Sequence, residues 1–190
     1  MQTEKQHRQR LKERFLREGL DNFEQLQVLE LLLFYCIPRQ DTNPIAHALL
    51  DRFGSVSKVL EATPEELKKV PGVGESAALF LSLIMATGRY YLVNQKEKDT
   101  ILTSIEKCGQ YLLPFFHGRR NETVFLLCLD AKCKVLSCKE VGEGSVNSAS
   151  ISIRSIVERA LNCNATSVVL AHNHPSGLAI PSAEDILTTK

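Results

Sequence analysis

Two histidines near the carboxyl end of the chain have the spacing of metal ligands. His172 and His174 follow the short apolar run 167–171, SVVLA, which is β-branched, bounded by polar residues and typical of a buried strand. Side chains two residues apart in an extended segment point to the same side, so both imidazoles can reach one ion. Asp185, eleven residues beyond His174, can add a carboxylate oxygen, because the prolines and glycine of 175–181 fold the chain back.

Three protein ligands of this kind would leave one position of a tetrahedral zinc ion for water, as in catalytic rather than structural sites. The same residues have a second interpretation that needs no metal. Histidines at strand ends are often only hydrogen-bonded, and the segment from Ser182 to Asp185 resembles a capping box with aspartate in place of glutamate. The two roles are compatible, since the amino terminus of a helix can hold a ligand rigidly. Asn173 and Ser176 are expected to shape the turn between the ligands.

The complete stretch 171–185, AHNHPSGLAIPSAED, resembles the JAMM (MPN+) zinc-peptidase motif: His-x-His, seven residues, serine, two residues and aspartate. Its local sequence HNHPSG, followed by Pro-Ser and Asp, is similar to that of the RadC family in particular. The resemblance implies a zinc-dependent metallopeptidase or isopeptidase, with zinc on His172, His174 and Asp185. It also implies a cytidine-deaminase-like α/β domain, in which Ser182 helps to stabilise the oxyanion of the tetrahedral intermediate.

Hydrolysis at such a site needs a general base, and a carboxylate suffices because zinc lowers the pKa of its water to about 7. The upstream candidates are Glu122, Glu140, Glu143 and Glu158. In JAMM proteins the catalytic glutamate begins a buried strand that follows a helix, which favours Glu122, directly before TVFLL. Glu143, in a glycine-rich loop, is second, and Glu158 is expected to pair with Arg154 on a helix. The alternative for Glu122 is an exposed carboxylate at a strand end.

The composition is that of a globular protein without a strong overall charge. Its 190 residues fit one or two domains, 44% are hydrophobic, and the formal net charge is +1, so any contact with nucleic acid would be local. We expect no membrane span, and the polar start 1–10 is unlike a signal peptide, which together predict a soluble cytoplasmic protein. The six cysteines include no Cys-x-x-Cys pair, so we expect reduced thiols that act as small buried hydrophobes.

The first half of the chain has helical patterns separated by glycine and proline signals. The segment VPGVG at 70–74 lies between two of them and resembles the helix-hairpin-helix motif of nucleic-acid-binding proteins. Its glycines, Gly72 and Gly74, would let the backbone approach a phosphate that the amides of the next helix bind. Lys68 and Lys69 would add salt-dependent attraction. In the alternative interpretation the hairpin only connects packed helices, and the acidic residue that follows it disfavours DNA.

These patterns predict an α+β chain of two domains. Residues 1–93 are expected to form an all-helical helix-hairpin-helix domain, which over 7–92 resembles the amino-terminal domain of RadC proteins. The polar segment 94–100 is the predicted linker. Residues 101–190 are expected to form a mixed α/β JAMM/MPN-like domain, with helices packed on a mixed sheet.

Two further expectations concern the second domain. Its first helix begins at Ser104 and should stop before Pro114, because proline lacks the amide that continues a helix. The chain ends five residues after Asp185, whereas JAMM-type domains continue past this point with further strands. We therefore expect the domain to be incomplete at its carboxyl terminus.

Three functions fit these patterns. The first is a zinc metallopeptidase with a protein or peptide substrate, which the open ligand position favours. The second is a non-catalytic module that associates with DNA and carries a zinc-binding fold; the hairpin favours it, as does the traditional link of the RadC name to DNA repair. The third is a structural zinc domain for protein contacts. A peptidase tethered to DNA would satisfy the first two.

Overall fold

The computed structural model describes residues 2–95, 100–144 and 153–188. The chain divides into two compact units, Met1–Gly88 and Arg89–Lys190. Residues 96–99 of the predicted linker lie outside the described residues.

The first unit is built from helices. They are α1 (Gln2–Glu18), α2 (Gln25–Cys36), α3 (Asn43–Phe53), α4 (Val56–Glu61), α5 (Pro64–Leu67) and α6 (Glu75–Asn94), the last of which continues into the second unit. Helix α5 begins with a capping box: the Glu66 amide donates to Thr63 Oγ1 at 3.2 Å, and the Thr63 amide donates to Glu66 Oε2 at 2.9 Å. The N-cap of α3 is Thr42.

The core of the first unit collects apolar side chains from α2 to α6 and from the hairpin. Its fully buried members include Leu29, Leu33, Leu49, Val59, Leu67, Ala78 and Leu81. Hairpin residues Val70 and Val73 are buried in the same core, and the Val73 amide donates to the Val70 carbonyl at 3.1 Å. The side chains of Lys68 and Lys69 are exposed, as are both hairpin glycines. The hairpin therefore anchors itself with its valines and presents its glycines to solvent.

The two hairpin glycines differ in what their conformations require. Gly72 has a φ of +86°, in the left-handed region, and a Cβ built on it would lie 2.8 Å from Cγ1 and Cδ1 of Ile45. The φ of Gly74 does not lie in the left-handed region, and a Cβ built on it would meet nothing within 4 Å. Gly72 thus has a packing reason to be glycine, whereas Gly74 leaves open space beside the start of α6.

This difference gives a testable stability prediction. We expect Gly72→Ala to lower the free energy of unfolding by about 1–3 kcal/mol, because it adds both backbone strain and an overpacked contact with Ile45. Gly74→Ala is the matched control and should change it by no more than about 0.5 kcal/mol. Denaturant unfolding of both variants measures the difference, and equal midpoints would show that the hairpin is not packed as described.

Helix α6 departs from the expectation that no stretch could span a membrane. Within the described residues it is the one helix long and apolar enough to do so by length and composition. Ala77, Ala78 and Leu81, however, lie in the core of the first unit. Because the core helix of a globular protein meets the same two criteria, this helix alone does not indicate a membrane protein.

The second unit combines helices with a three-stranded sheet, so the chain is α+β. After the part of α6 that lies in it, its elements are α7 (Ile105–Phe116), β1 (Thr123–Leu129), β2 (Val135–Glu143), α8 (Ile153–Asn162), β3 (Ser167–His172) and α9 (Ala183–Thr188). The strand order is β2-β1-β3, and every residue of β1 is buried. Both described pairings are antiparallel, not mixed as expected. Strands β2 and β3 run parallel to one another, but β1 lies between them. The described sheet therefore has no parallel pair of neighbouring strands.

Helix α7 runs past the proline that was expected to end it. Pro114 lies inside the last turn, and the helix continues to Phe116. The rings of Phe115 and Phe116 pack on Phe125 of β1, with centroids 5.4 and 5.2 Å away. This contact stabilises the last turn although Pro114 cannot donate a helical hydrogen bond, so tertiary packing overrides the local signal.

Candidate metal centre

The antiparallel ladder sets both predicted histidines at one end of the sheet. His172 is the last residue of β3 and is paired with Val124, near the start of β1. His174 follows two residues later, and the rings of the two histidines lie together with centroids 4.7 Å apart. Their Nε2 atoms are 3.0 Å apart. Both imidazoles therefore offer a nitrogen to the same small volume, as the alternation of side chains along a strand predicts.

Asp185 reaches the histidines from the first turn of α9. Its Oδ1 lies 3.2 Å from His172 Nε2, and its Oδ2 lies 3.7 Å from His174 Nε2. The Asp185 carboxylate is held by Ser182: the Ser182 amide donates to Oδ2 at 2.6 Å, and the Asp185 amide donates to Ser182 Oγ at 3.1 Å. The predicted capping box with aspartate is thus present, and it fixes a carboxylate that is only 6% exposed against the histidines.

This donor set fits a zinc ion. Ligand atoms on a tetrahedron with bonds of 2.0–2.1 Å are about 3.3 Å apart. The two histidine Nε2 atoms are 3.0 Å apart and Asp185 Oδ1 is 3.2 Å from His172 Nε2, close to that value, while the 3.7 Å contact to His174 is made by the other oxygen, Oδ2. One ligand atom from each of the three residues lies within 4.8 Å of the others, and this is the one such group of three among the described residues. The structure therefore assembles a nitrogen, nitrogen and oxygen donor set, the kind that zinc binds in catalytic sites.

The electrostatics of the site keep its carboxylate charged. Hydrogen bonds from the amide and hydroxyl of Ser182 lower the pKa of Asp185, and the neighbouring His172 and His174 lower it further, against the effect of burial. An ionised carboxylate is the form that a metal binds, so the capping box and the ligand role act in the same direction.

Glu122 lies immediately before β1, on the histidine side of the sheet. The ladder ends at the pair of Val124 with His172, two residues after Glu122. The alternation of side chains along β1 predicts that Glu122 shares the face of Val124 and His172. Its backbone carbonyl accepts a hydrogen bond from the Gly144 amide at 2.8 Å. Glu122 is half-buried and is not a member of the group of three donors.

The other candidate bases are occupied elsewhere. Glu143 pairs with Thr123, which puts it on the opposite face of the sheet, and its Oε1 accepts from the side chain of Asn121 at 3.1 Å. Glu140 forms a 2.7 Å ion pair with Arg119. Glu158 forms the predicted ion pair with Arg154, at 2.9 Å. The ion pairs of Glu140 and Glu158 disfavour them as bases, and Glu122 stays the predicted base, with Glu143 second.

The cysteines of the sheet region do not compete for a metal. Cys128 is buried on β1, where burial raises the pKa of its thiol to about 11. A hydrogen bond with the Cys163 thiol contributes to the same increase. Cys133 lies in the β1–β2 turn with a φ of +60°. A buried thiol such as that of Cys128 stays protonated at neutral pH, as expected for a small buried hydrophobe, whereas a zinc ligand must be a thiolate.

Comparison with known proteins covers both parts of the chain. Residues 102–190 match the RadC-like JAB domain, and residues 3–79 match the UPF0758 N-terminal domain. A UPF0758 protein of Fusobacterium nucleatum subsp. nucleatum is 35% identical over 190 residues, which span 96% of this chain and 82% of the relative. The chain belongs to the RadC (UPF0758) family. UPF0758 proteins of Ruegeria pomeroyi and Rhodobacter capsulatus are each 36% identical, over 95% and 94% of this chain and 80% and 84% of their own lengths.

The two matches divide the candidate sites between them. The RadC-like JAB match contains the three donors, Ser182 and Glu122, and the UPF0758 N-terminal match contains the hairpin 70–74. Asn173 makes a contact that the sequence did not predict, beyond its expected part in shaping the turn. Its carboxamide bonds to the backbone on both sides of Glu122. The only sequence signal for this contact is its position between two ligands at a strand end.

Proposed function

We propose that this RadC-family chain is a zinc-dependent hydrolase of amide bonds, a metallopeptidase or isopeptidase with a protein or peptide substrate. The observation that carries the proposal is the convergence of His172, His174 and Asp185, which have donor atoms within 4.8 Å of one another. Three protein donors leave a coordination position for reacting groups, which distinguishes a catalytic from a structural zinc site. The membership of residues 102–190 in the RadC-like JAB family supports the same reaction class.

The chain's own residues supply orientation and proton transfer. Bound zinc would act as a Lewis acid toward water and toward an amide carbonyl. Glu122, two residues before the Val124 that pairs with His172, accepts a proton from the attacking water and returns it to the leaving nitrogen. Ser182 Oγ accepts the Asp185 amide, and its hydroxyl hydrogen-bonds to the Asp185 carboxylate. During catalysis the hydroxyl would donate to the oxyanion in place of that carboxylate.

A metal-exchange experiment tests this function. We expect chelated protein to be inactive and protein reloaded with zinc to cleave peptide bonds in a mixed peptide library, with cleavage sites read by mass spectrometry. The same assay should include an isopeptide-linked substrate, because the geometry admits either type of amide. If zinc-loaded protein cleaves nothing in either set while it holds one zinc per chain, the structural zinc interpretation replaces the catalytic one.

We propose a second, compatible function for the first unit, which is weak and sequence-independent binding of DNA through the hairpin 70–74. The hairpin presents Gly72 and Gly74 to solvent, and Lys68 and Lys69 are exposed beside it. Open space at Gly74 adjoins the start of α6, whose first backbone amides can bind a phosphate oxygen.

We expect the double change Lys68→Ala and Lys69→Ala to weaken duplex DNA binding. The slope of log K against log salt concentration should become shallower by about one unit for each phosphate that the protein no longer neutralises. Lys58→Ala, which changes an exposed lysine on α4, is the control for general charge and should have a smaller effect. Fluorescence anisotropy over a range of salt concentrations measures both. Identical salt slopes for the double variant and the wild type would show that the hairpin does not contact DNA.

A further inference from the structure

Asn173, the residue between the two histidines, joins β3 to the segment that carries Glu122. Its Oδ1 accepts a hydrogen bond from the Thr123 amide at 2.8 Å, and its Nδ2 donates to the Asn121 carbonyl at 3.2 Å. Thr123 is completely buried, and the β1–β3 ladder ends at the pair of Val124 with His172. The side chain of Asn173 thus satisfies a buried amide just beyond the last regular pair of strands.

The two hydrogen bonds of the Asn173 side chain lie on either side of Glu122. Asn121 and Thr123 are the chain neighbours of Glu122, and both are tied to the Asn173 carboxamide. On the β2 side, the Gly144 amide donates to the Glu122 carbonyl at 2.8 Å. The backbone around Glu122, which lies just before β1, is therefore held by the residues that directly follow β3 and β2.

We infer that Asn173 is a positioning residue for Glu122: it couples the placement of the base to the strand end that presents the metal ligands. This inference rests on the proposed hydrolytic function. A carboxamide suits the task because it offers one acceptor and one donor, whereas aspartate would keep only the acceptor and alanine neither. Since Asn173 lies between His172 and His174, any movement of β3 moves ligands and base together.

The expected kinetic effect follows from the loss of this placement. Without the two bonds the peptide groups around Glu122 regain conformational freedom, and a misplaced base slows proton transfer more than it weakens substrate binding. We expect Asn173→Ala to lower kcat by about 10–100-fold with KM changed by no more than roughly twofold. Asn162→Ala, which changes an exposed asparagine at the end of α8, is the matched control and should behave as wild type.

Two readouts separate positioning from a general structural role. In the Glu122→Gln background, Asn173→Ala should lower kcat almost no further, because a residue that acts through Glu122 has no effect once that carboxylate is gone. The absorption spectrum of the Co²⁺-loaded Asn173→Ala protein should match that of wild type, because the metal ligands remain in place. An additive loss of kcat, or an altered cobalt spectrum, would overturn the inference.

A measurement without catalysis separates this inference from the proposed function. Native-state amide exchange should show Thr123 losing protection in Asn173→Ala and keeping it in Asn173→Asp, which retains the acceptor. If zinc-loaded wild type hydrolyses nothing, the proposed function fails while this exchange still reports whether the link exists. Unchanged protection of Thr123 in Asn173→Ala would show that Asn173 does not hold the segment, whatever the activity.

Discussion

Replacing Glu122 by glutamine should leave the fold and the zinc content unchanged and slow amide hydrolysis by about 10²–10⁴-fold, which corresponds to roughly 3–5 kcal/mol of activation free energy. Glutamine has nearly the same shape as glutamate but cannot accept a proton from water. The three hydrogen bonds described around residue 122 use main-chain groups of Asn121, Glu122 and Thr123 and not the Glu122 side chain, so they survive the substitution. The effect is therefore on proton transfer alone.

The matched control for this variant is Glu143→Gln. Glu143 lies on the opposite face of the sheet and is bonded to Asn121, so its loss should change the rate by no more than a few-fold. Initial rates on the same peptide, with zinc measured in each sample, complete the comparison. A fully active Glu122→Gln together with an inactive Glu143→Gln would assign the base to Glu143, which is the last residue of β2 and not in a loop as the sequence predicted, and would refute the choice of Glu122.

Changing both His172 and His174 to alanine should abolish zinc binding. We expect bound zinc to fall from about one ion per chain to near zero, because a lone carboxylate from Asp185 cannot retain the ion against solvent. Metal analysis after extensive dialysis measures this directly. Thermal unfolding with and without added zinc should also differ, with the wild type stabilised by zinc and the double variant indifferent to it.

His47 provides the control for non-specific loss of metal. It is an exposed histidine on α3, in the first unit, and His47→Ala should keep the full complement of zinc. Retention of zinc by the double variant of His172 and His174 would move the site elsewhere. The cysteines would then be the remaining candidates, in spite of the raised pKa of Cys128.

Much of the candidate site could be predicted because its signals are local. His172 and His174 share a side through the two-residue period of a strand, and Ser182 and Asp185 meet through the three-residue spacing of a capping box. Both patterns are fixed by backbone geometry over a few residues. Their approach to each other depends on the turn 175–181, whose prolines and glycine indicate a reversal but not its path.

The parts that could not be predicted depend on long-range contacts. The Asn173 link spans 50 residues to Thr123, and nothing in a single sequence shows that pairing. The same holds for strand order, since the antiparallel pairing of β1 with β3 brings together segments that are distant in the chain. Pro114 gave a local signal that the packing of Phe115 and Phe116 on Phe125 overrides.

X-ray absorption of the zinc-loaded chain tests the central claim most directly, because it reports the ligands of the ion without requiring a substrate. Our account predicts nitrogen and oxygen scatterers at about 2.0–2.2 Å in a four-coordinate shell, with outer-shell scattering from two histidines. Sulfur at about 2.3 Å would contradict it, because it would assign the ion to cysteines and leave the His172, His174 and Asp185 cluster without a metal.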